Sequence, residues 1–178
     1  MFDNHTHSSF SRDSEMNPVS ACMRALEIGL TGITFTDHLD YDYPGFGNEF
    51  NIDFDAYSKS MDDLKEKFKD KLTVLKGIEV GIQPHTIEDT KKALQSSNFD
   101  FVISSVHIID RQDPYVGEYY KTRTKHEAYL RYLQEIVYSL NHFDDFDILG
   151  HIDYIIRYGC YDDRSLAYDE FSDTIDEI

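Results

Sequence analysis

Asp3-Asn4-His5-Thr6-His7, with Asp13 a few residues on, is the stretch whose reading decides the fold. Residues two apart in an extended strand point to the same side, so His5 and His7 project together as a pair of imidazoles. A histidine that ligates a metal needs an acceptor for its other ring nitrogen, and Asp3 stands close enough to be one. The same pattern recurs downstream. Short β-branched or aromatic runs alternate with helical patterns, and each run closes on a residue that binds divalent metals.

The first run is Met1–His5. Asn17-Pro18 then supplies an N-cap and a proline at the first helical position, and Val19, Met23, Leu26 and Leu30 follow at helical spacing. The second run, Gly32–Thr36, ends in Asp37-His38. An irregular segment rich in Asp, Tyr, Gly and Pro runs to about Asp53, long enough to suggest a functional loop. Phe54–Lys71 reads as a helix with apolar Tyr57, Met61, Leu64 and Phe68, and the third run, Leu72–Ile78, ends in Glu79. A short helix around Thr86–Ser97 precedes the fourth run, Phe99–Val106, which ends in His107. After a second long loop, Ile108 to about Thr124, the clearest helix spans Lys125–Asn141. Its stripe of Tyr129, Leu130, Leu133, Ile136, Val137 and Leu140 marks a core face. The fifth run, Phe146–Gly150, ends in His151, and helical periodicity returns from Arg164 at Leu166, Phe171 and Ile175.

Alternating strands and helices predict an α/β fold with a parallel sheet, open or curled into a barrel. In such folds the chemistry sits at the carboxyl ends of the strands. His5/His7, His38, Glu79, His107 and His151 fall at five such ends, which predicts one convergent metal cluster. Imidazole with carboxylate and no thiolate set suits zinc, manganese or iron. Six or more converging ligands exceed what one zinc takes, so two or three ions are expected, with Glu79 as a bridge. Multi-metal sites lower the pKa of water and clamp oxyanions, which suits phosphate-ester hydrolysis. The sequence contains neither a GxSxG elbow nor a Walker-type glycine loop.

Composition narrows the setting. With 34 acidic against 17 basic residues the net charge is −17, which repels nucleic-acid backbones. No apolar run approaches a membrane span and no signal-peptide start is present, so a cytoplasmic protein without membrane contact is expected. Cys22 and Cys160 carry no C-x-x-C spacing and read as reduced, structurally buried thiols. Length and composition suit one domain over residues 1–178.

Taken in order, Asp3-x-His5-x-His7, Thr36-Asp37-His38, Gly77-Ile78-Glu79, Ser105-Val106-His107 and Gly150-His151-Ile152-Asp153 resemble the successive motifs of the PHP (polymerase and histidinol phosphatase) superfamily, its stand-alone histidinol-phosphatase branch above all. The resemblance implies a distorted (β/α)7 TIM-like barrel with three metals above the strand ends, hydrolysing L-histidinol phosphate. It implies that His5, His7 and Glu79 hold one ion, Glu79, His107 and His151 a second, and Asp13 and His38 a third. Glu79, His107 and Arg157 stand as the candidate catalytic residues, Arg157 as a grip for the substrate phosphate. A surface arginine paired with neighbouring acids is the plainer alternative for Arg157. His85, His126 and His142 match no motif. The family's Asp-x-His motif after a further strand has no counterpart here, so about five of seven β/α units are expected and the domain reads as C-terminally incomplete. Two further readings are a phosphatase of phosphotyrosine protein or of a nucleic-acid 3′ end, and a non-catalytic metal-binding remnant. Oligomeric state is not legible.

Overall fold

The computed structural model describes all of residues 1–178. In chain order the elements are β1 (Phe2–Thr6), α1 (Pro18–Glu27), β2 (Gly32–Phe35), β3 (His38–Asp40), α2 (Phe54–Phe68), β4 (Thr73–Gly81), α3 (Ile87–Gln95), β5 (Phe101–Ser105), α4 (Lys125–His142), β6 (Ile148–Leu149) and α5 (Tyr168–Ile175). Short 3-10 turns occur at Pro114–Val116, Glu118–Tyr120 and Tyr154–Ile156. All strands pair in parallel, in the order β1-β2-β4-β5-β6. β3 continues the β2 position along β4, with His38 opposite Glu79 and Asp40 opposite Gly81.

The sheet is strongly curled. β1 and β6 are its two edges, so in a flat sheet four strand spacings, about 19 Å, would separate them. The rings of His5 on β1 and His151 just after β6 nevertheless lie 5.7 Å apart. The fold is therefore a curled parallel half-barrel, with the strand ends facing one another across its mouth.

Period-two alternation sets what faces the interior. Ile78, Val80 and Ile82 along β4, with Ile33, Phe35 and Leu39, join the core beneath α1, α2 and α3. Their neighbours His38, Asp40, Glu79 and Gly81 turn inward, as do Ser105 and His107 from β5 and beyond. A second core gathers α4, α5 and the 3-10 turns around Tyr129, Tyr132, Leu133, Tyr119 and Tyr120. The long loop after β5 is thus partly core, because Tyr119 and Tyr120 are fully buried and their hydroxyls bond Ala128 and Ile155 carbonyls.

Local sequence accounts for the helix starts. The Asn17 side chain accepts from Ser20 N ahead of Pro18, and Asp53 accepts from Ala56 N. Thr124 and Glu127 form a reciprocal capping box at α4. Several expectations need correction. The buried face of α1 is Ala21, Cys22 and Ala25, small enough for close packing on the sheet; Met23 is exposed, and Val19, Leu26 and Leu30 are only partly covered. The third run, β4, does not stop at Glu79 but continues to Gly81, because β3 and β5 both pair with its end. The fifth run, β6, shrinks to two residues, being paired on one side only. Cys22 is buried, whereas Cys160 is exposed.

Candidate metal centre

Glu79 is the focus. Its side chain is fully buried in the half-barrel, and its two oxygens face separate imidazole sets. Oε1 lies 3.0 Å from His151 Nε2 and 3.3 Å from His107 Nε2, and it accepts a 2.6 Å hydrogen bond from Ser105 Oγ. Oε2 lies 3.2 Å from His5 Nε2, 3.1 Å from His7 Nε2 and 3.3 Å from His38 Nδ1. His5 on β1, His38 on β3, and His7, His107 and His151 just past β1, β5 and β6 therefore converge on one carboxylate of β4.

The segment after β1 brings in the seventh ligand candidate. Asp37, in the break between β2 and β3, is fully buried and accepts from Ser8 N, Ser8 Oγ and Ser11 Oγ at 2.6–2.8 Å. That anchors residues 8–11 over the sheet and sets Asp13 beyond them. Asp13 then lies 3.6 Å from His38 Nε2 and 3.9 Å from His7 Nδ1.

Electrostatics bind the cluster together. Burial alone would lower His38 and His107, but the neighbouring carboxylates outweigh it. His38 is raised to about 9 by Asp13, Asp40 and Glu79, and His107 rises well above its ordinary value beside Asp40 and Glu79. Burial opposes the charge of Glu79, yet the surrounding imidazoles hold it well below the usual carboxylate range. The neighbouring His38 and His7 rings do the same for Asp13. His7, His38 and His107 and the carboxylates beside them thus favour one another's charged forms.

The donor set fits metal ions. Three close groups stand out: His5, His7 and Glu79; His7, Asp13 and His38; His38, Glu79 and His107. His151 meets Glu79 Oε1 outside these groups. Neighbouring ligands on a tetrahedral zinc with bonds of about 2.0–2.1 Å lie about 3.3 Å apart, and the imidazole-to-Glu79 separations of 3.0–3.3 Å match that spacing. Glu79 Oε2 is moreover buried without an aligned hydrogen-bond partner, although three ring nitrogens crowd it. Such an atom is costly unless a cation or proton answers it.

Around the cluster opens a cleft of about 710 Å³ whose walls include Tyr43, Phe50, Tyr115, Tyr154 and Tyr158. Tyr154 packs against the rings of both His107 and His151. Arg157 lies on the cleft wall, exposed, with its guanidinium 5.5 Å from the Tyr158 ring and no carboxylate partner. The acid-paired alternative for Arg157 therefore does not hold.

Other expected positions fall elsewhere. Asp3 accepts from the His5 backbone N–H at 3.3 Å, and the imidazole finds Glu79 instead. Asp153 is exposed on the turn after His151. His85 pairs with Asp42, His126 stacks on Phe171 and His142 bonds Tyr138 O, all away from the cluster. Asp40, fully inside the cluster, escaped the sequence reading. The His38-x-Asp40 spacing, two residues apart on one strand, was the signal for it.

Comparison with known proteins agrees with this geometry. The PHP domain family matches residues 3–178. The chain is 36% identical over 177 residues to a histidinol-phosphatase of Lactococcus lactis, covering 99% of this chain and 65% of that protein. It is also 36% identical over 178 residues to a probable histidinol-phosphatase of Clostridium acetobutylicum, covering all of this chain and 67% of the relative. The chain thus spans about two thirds of the length of these relatives. Among solved structures, the Lactococcus lactis histidinol phosphate phosphatase, crystallised with zinc, L-histidinol and phosphate, superposes with a TM-score of 0.95 at 36% identity over 99% of this chain and 66% of that one. A putative histidinol phosphatase of Listeria monocytogenes shares the fold, with a TM-score of 0.77 at 17% identity over 99% of this chain and 75% of that one. No helix here is long and apolar enough to cross a membrane. With five ordered motifs meeting on Glu79 and the match running from residue 3 to residue 178, this chain belongs to the PHP domain family.

Proposed function

We propose that the chain is the metal-binding and substrate-binding part of a histidinol-phosphate phosphatase, cleaving a small phosphomonoester to alcohol and phosphate. The single observation that carries this is the buried Glu79 carboxylate with five imidazoles around its two oxygens. His5, His7 and Glu79 would hold one divalent ion, Glu79 with His107 and His151 a second, and Asp13 with His38 a third. Such ions supply an activated water and a positive field for phosphate oxygens.

The chain's own groups do the rest. Glu79 and the histidines fix the ligand atoms on rigid strand ends, not on flexible loops. The cleft is anionic, with Asp13, Asp40 and Glu79 in its lining, so a phosphate dianion needs compensating cations there. Arg157, unpaired at the wall, offers a planar fork for two phosphate oxygens. The tyrosine rings give the leaving alcohol an apolar surface and keep bulk water from the cluster. An imidazole side chain, as in L-histidinol, stacks well against such rings. A cleft of this size takes a small molecule.

The test is zinc titration followed by phosphate release from L-histidinol phosphate, a phosphotyrosine peptide and a 3′-phosphorylated oligonucleotide. Zinc uptake with turnover of histidinol phosphate alone is the expected result, and Arg157→Ala should raise KM for it about tenfold or more. Zinc uptake without turnover of any of them would leave a metal-binding module and overturn the phosphatase reading.

A further inference from the structure

Asp40 sits behind the cluster, buried, and touches two of its histidines at once. Its Oδ1 accepts a 2.8 Å hydrogen bond from His107 Nδ1. Its Oδ2 lies 3.2 Å from His38 Nδ1, but the contact is not aligned as a hydrogen bond, and both atoms are buried without a hydrogen-bond partner. On the far edges of the same rings, His107 Nε2 is 3.3 Å from Glu79 Oε1 and His38 Nε2 is 3.6 Å from Asp13 Oδ2. One carboxylate thus stands beside both rings: His107 turns its Nε2 to Glu79 with Nδ1 on Asp40, while His38 Nδ1 lies between Asp40 and Glu79 Oε2, 3.3 Å from the latter.

The backbone opposite is shaped for it. Asp40 pairs with Gly81 in the β3–β4 ladder. A Cβ at residue 81 would come within 1.7 Å of Asp40 Oδ1, 2.4 Å of its Cγ and 3.0 Å of His107 Nδ1. The carboxylate therefore occupies the space where any other residue at 81 would put its side chain, and only displacement of Asp40 itself relieves that contact.

We infer that Asp40 is the positioning carboxylate of the site. It holds the Nδ1–H tautomer of His107, turns that ring's Nε2 lone pair to the metal cluster, and fixes residue 81 as glycine. Hydrogen-bond partners of ligand histidines act in this way, fixing ring orientation and tautomer. The inference rests on the cluster being a metal centre, and the test separates the two.

Zinc affinity of the full chain is measured by competition with a chromophoric chelator for wild type, Asp40→Asn and Gly81→Ala. Wild type that takes up no zinc would overturn the metal-centre reading itself, before any variant is compared. With zinc bound, Asp40→Asn should weaken affinity about 10–100-fold, because an uncharged carboxamide is a weaker acceptor for the His107 Nδ1–H than a carboxylate. Gly81→Ala, which keeps the carboxylate but displaces it, should weaken it in the same direction. Affinities within twofold of wild type in both folded variants would overturn the proposal. If neither variant folds, 15N-histidine spectra of zinc-loaded wild type decide. An Nδ1-protonated, Nε2-ligated ring at His107 supports it, and an Nε2-protonated ring there overturns it.

Discussion

Gly150→Ala tests whether the buried contacts around Glu79 are as tight as the distances imply. A Cβ at residue 150 would lie 2.1 Å from Ser105 Oγ and 3.1 Å from Ile103 Cγ2. The hydroxyl is the movable partner, so Ser105 rotates away and its 2.6 Å hydrogen bond to Glu79 Oε1 is lost. A hydrogen bond to a buried charged group contributes about 1.5–3 kcal/mol. At about 2–4 °C per kcal/mol for a domain of this length, the metal-free midpoint should fall by about 3–12 °C. Thermal unfolding by circular dichroism measures it, in a cycle with Ser105→Ala. With the hydroxyl gone, the added methyl meets only the Ile103 methyl closely, so Gly150→Ala should cost far less in the Ser105→Ala background. An equal cost in both backgrounds would show that the backbone, not the Ser105–Glu79 bond, bears the strain, and would refute the reasoning.

Two further outcomes follow from other parts of the fold. Tyr57 Oη lies 2.9 Å from both Phe35 O and Gly77 O beneath the sheet, so Tyr57→Phe should cost about 1–3 kcal/mol in urea unfolding without loss of zinc binding; a cost below about 0.5 kcal/mol would show that this bond adds nothing net. His38, raised to about 9 from an ordinary 6.5, stabilises the metal-free fold fully below pH 6.5 and loses that contribution as pH rises through 9. Urea unfolding of chelator-treated protein should therefore show falling stability from pH 6.5 to 9.5, with a smaller fall in His38→Asn; identical slopes would count against it.

The sequence by itself determined the kind of fold and most of the donor set. Strand runs closing on His5/His7, His38, His107 and His151 are local patterns, and the Asn17-Pro18 cap is chemistry within four residues. Tertiary structure decided what distance along the chain hides. Glu79 and His151 are 72 residues apart, and only strand register together with sheet curl brings them to 3.0 Å. The same register sets Asp40 opposite Gly81, making a backing carboxylate of a residue that reads, in sequence, as the start of a loop. Helix α1 turned its small residues inward because close packing on the sheet outranks the bulkier stripe at helical spacing. Tyr119 and Tyr120 left the loop for the core once α4 offered a face and a carbonyl to bond. Periodicity fixes which way a side chain points within its own element. What it meets there depends on pairing, and pairing is set by the whole sheet.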